Sequence, residues 1–162
     1  MTNKKMWMAR GDGGRLYDAF QDRGIIAIGW AELINAQPGM SRKELAEIYA
    51  RVRPDLKQGT IISGASQVWR FINEITIDDF CITYDPTARK YAIGKVTGDF
   101  VAKLDPQDRG VALLRKVKWL GEVDRDDLST QTKNSLRSTL TLFQVPSSAT
   151  NEVLAVLKRG PA

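Results

Sequence analysis

The sequence predicts an α+β domain: a small, curled, mostly antiparallel β-barrel with flanking helices. Three observations lead there. Short apolar runs rich in β-branched and aromatic residues recur along the chain, separated by turn residues. Amphipathic segments interrupt them, one of which opens with a capping box. The length of 162 residues suits one domain with a hydrophobic core of its own.

Residues 7–9 read as a first short strand. Arg10-Gly11-Asp12-Gly13-Gly14-Arg15 follows as a glycine-rich loop. Leu16, Tyr17 and Phe20 recur at helical spacing, and Gly24 is a natural helix stop. Residues 24–30 contain the apolar run Ile25, Ile26, Ala27 and Ile28 and read as a buried strand. Residues 35–40 are a loop. Ser41 and Glu44 have the spacing to satisfy the first free amides of a helix whose apolar face is Leu45, Ile48, Tyr49 and Val52, and Pro54 ends it. Residues 57–63 read as a polar loop leading into a short helix that carries Trp69, Arg70 and Asn73. Runs 80–84 and 91–96, joined through Asp85-Pro86-Thr87-Ala88-Arg89, make the clearest hairpin. Residues 113–120 alternate as a further strand, 124–129 start a helical or turn segment, and 139–145 form the last strand. About six strands result, most of them antiparallel. The domain is expected over residues 1–146, with 147–162 a linker or terminal helix leading towards a further domain.

Apolar residues make up 43 % and charged residues 27 %, an ordinary globular composition. No stretch approaches the roughly 20 apolar residues that span a bilayer, so no membrane partner is expected. The start lacks the apolar segment of a secretory signal, and Cys81 is the only cysteine; both point to a cytoplasmic setting with a reduced thiol. Histidine is absent. Ser-His-Asp and Cys-His catalysis are therefore excluded within the chain, and a structural zinc site has no ligand set. No catalytic residue, metal or cofactor is expected. Twenty-four Lys and Arg against 19 Asp and Glu give a net charge of +5 and a pI near 9.4, a footprint of nucleic-acid binding that basic proteins also share without it.

Flat aromatics beside amides, hydroxyls and guanidinium groups suit a planar, hydrogen-bonding ligand, and in a basic chain that ligand is a nucleobase. Trp30 and Trp69 are the candidate stacking walls, although a tryptophan more often serves the core. Trp7 and Trp119 lie inside apolar runs and read as core. Gln67 and Asn73 carry both donors and acceptors, and with Ser66 would read a base edge; Ser63, Ser66 and Gln67 also suit a helix cap. Arg10 and Arg15 flank glycines whose amides approach a phosphate closely, and Arg70 is a third phosphate candidate. The loop is not a P-loop, because no Gly-Lys-Ser/Thr closes it. Glu74, Asp78 and Asp79 are the acids a magnesium-dependent nuclease would use, but they read as turn chemistry.

Residues 13–20, 24–30, 67–75 and 92–100, continued by Val117-Lys118-Trp119 and residues 140–145, resemble the N-terminal module of Mrr-type restriction endonucleases. The resemblance covers residues 6–145. That module is similar to the PUA-like superfamily of EVE, YTH and SRA domains: curled barrels, several of which flip a modified base into an aromatic cage. The resemblance implies a non-enzymatic reader of modified DNA, methylated or hydroxymethylated, coupled in longer proteins to a nuclease domain or subunit. It puts Trp7 on the first barrel strand, residues 63–69 along the pocket, and Tyr84 at a strand end near it. An RNA-binding module of the same fold is the alternative; a carboxylate- and magnesium-dependent nuclease is the less favoured one.

Overall fold

The first strand shows how the sheet is built. The computed structural model describes residues 5–160; the outer ends of the expected segments, residues 1–4 and 161–162, lie outside the described residues. Strand β1, Met6–Ala9, is apolar at every position and buried throughout. Successive side chains point to opposite faces of a strand. Trp7 and Ala9 therefore join one core cluster, with Phe20, Ile26 and Phe71, and Met6 and Met8 join a second, with Ile82, Ile93 and Val153. Both faces of the sheet are covered.

The other strands are β2 (Ile25–Ile28), β3 (Phe80–Asp85), β4 (Lys90–Val96), β5 (Val101–Ala102), β6 (Leu113–Asp124) and β7 (Leu142–Gln144). They form one curled sheet in the order β2-β6-β4-β3-β1-β7, with β5 on β6. All pairings are antiparallel except β1 with β3. The α+β half-barrel is the fold class expected. The parallel pair, the two-residue β5 and the extension of β6 beyond residue 120 are not anticipated by the sequence pattern.

The extension has a specific cause. The first part of β6 pairs with β2, and the rest pairs with β4. In that second ladder Trp119 faces Gly94 and Gly121 faces Ile93, so Leu120 is an extra, bulged residue, 44 % exposed. A bulge resets the alternation and bends the strand. Leu113 and Val117 enter the first cluster, whereas Val123 enters the second. The period-2 pattern breaks at the point where the sheet curls.

Helix α1 (Tyr17–Arg23) ends at Gly24 in the left-handed conformation. Helix α2 (Arg42–Val52) has the expected capping box: Ser41 Oγ accepts from the Glu44 amide, and Glu44 Oε1 accepts from the Ser41 amide, both at 3.1 Å. Helix α3 (Gln58–Asn73) is 16 residues long. These three cover the first cluster. Helices α4 (Thr130–Ser135) and α5 (Ser147–Arg159) close the second. Glu152 of α5 accepts from the Ser129 amide and hydroxyl and from the Thr132 hydroxyl, which ties the two helices together.

The expected loop over 57–63 is helix from Gln58 onwards, and Ser63 and Ser66 are mid-helix residues rather than caps. Ile61, Ala65, Val68 and Ile72 are buried at helical spacing, and that burial outweighs the glycines. Gly64 costs the helix about 1 kcal/mol against alanine. It is needed because an added Cβ would lie 2.7 Å from Trp30 Nε1 and 2.8 Å from Tyr49 Cε2.

Candidate nucleic-acid interface

Two cavities flank the glycine-rich loop, and the loop's own geometry separates them. After β1 the backbone turns through four consecutive positive φ values, at Gly11, Asp12, Gly13 and Gly14 (60°, 55°, 66° and 97°). At Gly14 a Cβ would collide with the Pro86 ring. The turn is held by Gly14 N donating to Arg10 O at 3.0 Å and Leu16 N donating to Gly11 O at 2.9 Å. Arg15 fastens it to the loop before β6. Its Nε donates to Asp12 at 2.6 Å, and its two terminal nitrogens make a bidentate pair with Asp108 at 2.8 and 2.9 Å. The guanidinium, helped by the Gly110 amide, holds the Asp108 carboxyl down at about 2.

The first cavity opens between these two loops and the end of β2, with a volume of about 360 Å³. Trp30 forms one wall, and Asp12, Arg15, Arg109, Gly110 and Thr141 contribute to the rest. Trp30 sits in the left-handed region at φ 59°, ψ 54°, which is unfavourable for a bulky residue by about 1–3 kcal/mol. Its indole edge is seated on the bare backbone of Gly64 beside Tyr49. The same side chain packs against the first core cluster, so the strained backbone is held in place by burial. Among the described residues Arg109 makes no ion pair, so its charge is available at the mouth.

The second cavity, about 260 Å³, lies on the other side of the loop and includes Arg10, Tyr84, Tyr91, Arg125 and Arg137. The Tyr84 and Tyr91 rings are 4.5 Å apart with a 34° tilt.

The sequence candidates distribute unevenly over this surface. Trp30 and Arg15 line the first cavity, and Arg10 and Tyr84 line the second. Ser63, Ser66, Gln67, Trp69 and Asn73 line neither, for identifiable reasons. Gln67 has spent its amide: Oε1 accepts from the Leu142 amide at 3.0 Å, and Nε2 donates to Ser63. Asn73 Oδ1 accepts from the Gly39 amide at 3.0 Å, and its Nδ2 donates to Trp69 O. Trp69 carries the Arg42 guanidinium 4.0 Å above its ring. Arg70 is beside Glu74 on the same helix, 3.5 Å away. Arg15, for its part, is already engaged by two carboxylates. The acids do not gather either. Asp79 is buried and accepts from the Trp7 indole and the Thr76 amide, Glu74 faces Arg70 and Arg42, and no cluster of three or more potential metal ligands occurs among the described residues. Trp7 and Trp119 are packing residues whose indole N–H groups are satisfied by Asp79 and by Phe20 O.

Sequence reasoning missed Asp12, Arg109 and Thr141 at the first cavity and Tyr91, Arg125 and Arg137 at the second. Asp12 carried a signal, since it stands inside the glycine-rich loop. The others depend on long-range contacts that no local pattern encodes.

The curled half-barrel with flanking helices is YTH-like in fold, and comparison with solved structures agrees. The YTH domain of the Zygosaccharomyces rouxii MRB1 protein, solved in complex with N6-methyladenosine RNA, is similar over 98 % of this chain and 87 % of its own, with a TM-score of 0.53 at 13 % identity. The Pho92 YTH domain, solved in complex with m6A, is similar over 100 % and 88 %, with a TM-score of 0.56 at 12 % identity. No curated protein sequence matches the chain. The chain belongs to the family described as domain of unknown function DUF8426, whose model matches residues 5–145.

Proposed function

We propose that this domain is a non-enzymatic reader of a modified base in DNA, which it takes, flipped from the helix, into the cavity beside Trp30. The observation that carries the reading is Trp30 itself, held in a strained conformation by Gly64 at the wall of an open cavity. Extruding a base costs a few kcal/mol, and stacking on an aromatic wall returns roughly 1–3 kcal/mol. The Asp12 oxygen that Arg15 leaves free, Oδ1, supplies an acceptor for base N–H groups, and Arg109 supplies a cation for the adjacent phosphate. Trp69 and Asn73 serve packing in this reading. The resemblance of residues 6–145 to the Mrr-type module supports DNA as the target and recruitment of a restriction nuclease, in the cytoplasm, as the purpose.

RNA is the second reading, favoured by the two fold neighbours, whose structures hold N6-methyladenosine RNA and m6A. One binding panel decides both. It comprises otherwise identical DNA duplexes that are unmodified or carry N6-methyladenine, 5-methylcytosine or 5-hydroxymethylcytosine, with a single-stranded RNA arm with and without N6-methyladenosine. At least one modified DNA should bind about tenfold more tightly than its unmodified twin, a gain of about 1.4 kcal/mol, and Trp30→Ala should erase the difference. Preference confined to the RNA arm replaces DNA by RNA, and equal binding throughout refutes the reader.

A further inference from the structure

The second cavity takes no part in that reading and shares no lining residue with the first. Its composition is specific. Tyr91 is 2 % exposed and forms the floor, Tyr84 is half-buried against it, and Arg10, Arg125 and Arg137 line the same space. Among the described residues none of these three arginines makes an ion pair, whereas neighbouring Arg89 pairs with Asp126 at 2.6 Å. No acidic side chain lines the cavity. Arg10 donates one terminal nitrogen to Thr139 O at 2.9 Å, and Arg137 reaches Asn134 Oδ1 only at 3.4 Å. Arg125 lies against the Tyr91 hydroxyl, and neither Arg10 nor Arg137 makes a further side-chain hydrogen bond among the described residues. Like charges that line one cavity repel one another, and an anion bound among them relieves that repulsion. Guanidinium groups match phosphate geometry in particular. A bare anion, however, has no use for an aromatic wall.

The volume of about 260 Å³ lies just below the usual range of ligand sites, about 300 to 1,000 Å³. A cavity of this size admits at most one nucleoside unit and is too small for a dinucleotide cofactor. The geometry points to a second nucleotide site, which binds a nucleoside monophosphate unit with its base against Tyr84 and its phosphate among Arg10, Arg125 and Arg137. The unit has two sources: a free mononucleotide, or a nucleotide of a bound strand. The site stands whether or not the Trp30 cavity reads a modified base.

The test is calorimetric titration of the whole protein with AMP, adenosine, inorganic phosphate and a short unmodified single-stranded DNA. AMP should bind at least about tenfold more tightly than adenosine or phosphate, because only AMP engages both the wall and the arginines. Arg137→Gln, at an exposed position, and the pair Arg125→Gln with Arg137→Gln should weaken AMP by about tenfold or more, as should Tyr84→Leu, while Trp30→Ala leaves AMP unchanged. Thermal melts of each variant confirm folding. A flat AMP titration, with strand binding weakened to the same extent by these arginine and tyrosine variants, assigns the site to a nucleotide of the strand. Phosphate binding as tightly as AMP, with Tyr84→Leu silent, reduces the cavity to an anion site and overturns the proposal. So does strand and AMP binding that ignores all the variants.

Discussion

Gly64→Ala is the sharpest probe of how the Trp30 wall is held. In the interior of a helix this exchange normally stabilises, by about 1 kcal/mol. Here the added methyl would stand 2.7 Å from Trp30 Nε1, 2.8 Å from Tyr49 Cε2 and 3.2 Å from Trp30 Cε2. Either the indole or the tyrosine ring must move. Overpacking of this kind costs typically about 1–3 kcal/mol, so the propensity gain is cancelled or exceeded and the variant ends about 0–2 kcal/mol less stable. Trp30 has little room to yield, because its backbone already occupies the left-handed region at φ 59°. The same helix provides the control. Gly59 has nothing within 4 Å of a built Cβ, so Gly59→Ala should gain up to about 1 kcal/mol. Urea denaturation of both variants, with unchanged m-values as the two-state check, measures the difference. The duplex panel then asks whether displacing the indole removes base preference. If Gly64→Ala is as stabilising as Gly59→Ala and leaves preference intact, the indole is not seated on α3 and the account of the cavity wall fails.

Trp69→Ala should leave base preference unchanged in the same panel, losing only the Arg42 contact, worth about 0.5–1 kcal/mol at an exposed site, and part of its packing. Asp79→Ala should cost about 1–3 kcal/mol in urea denaturation, since it orphans the buried Trp7 indole N–H; the part-buried Thr76 amide can turn to water. Asp108 has its carboxyl lowered from 3.8 to about 2 when folded. Its contribution is therefore complete above the unfolded value and is lost as pH falls towards the folded one; melting temperatures compared between about pH 4.5 and pH 2 should fall more steeply in the wild type than in Asp108→Asn. Arg109→Ala should weaken modified and unmodified DNA alike and lower the slope of log affinity against log salt by about 0.9, read from a salt titration.

The fold was legible wherever one local rule governed a segment. The capping box at Ser41 and Glu44, the Gly24 stop and the 80–96 hairpin all needed only neighbours in sequence. The misses occur where a long-range contact overruled the local rule. Gly59, Ser63 and Gly64 look like loop residues, yet they lie in α3 because Ile61, Ala65, Val68 and Ile72 bury one face. The alternation of β6 stops at Leu120 because a bulge exchanges the two faces, not because the strand ends. The parallel pairing of β1 with β3 joins segments more than 70 residues apart, and period-2 patterning says nothing about a partner.

The same distinction sorts the site. Polarity at helical spacing marked Gln67 and Asn73 as base readers, but polarity is equally what a helix needs to bind passing backbone: Gln67 satisfies the Leu142 amide and Asn73 the Gly39 amide. A side chain with both a donor and an acceptor is an available reader only if the fold leaves those groups unspent. Trp30 differs because its signal was not polarity but position, at the junction of an apolar strand and a turn. At that junction the backbone is left-handed and the indole edge lies against Gly64. The arginines follow the same logic in reverse. Arg15, which flanks the glycines, looked like the phosphate ligand but is consumed by Asp12 and Asp108, and the cavity-lining cations without an ion pair among the described residues are Arg109 on one side and Arg10, Arg125 and Arg137 on the other. Counting which polar groups remain unspent, rather than which residue types are present, separates the working surface from the scaffold beneath it.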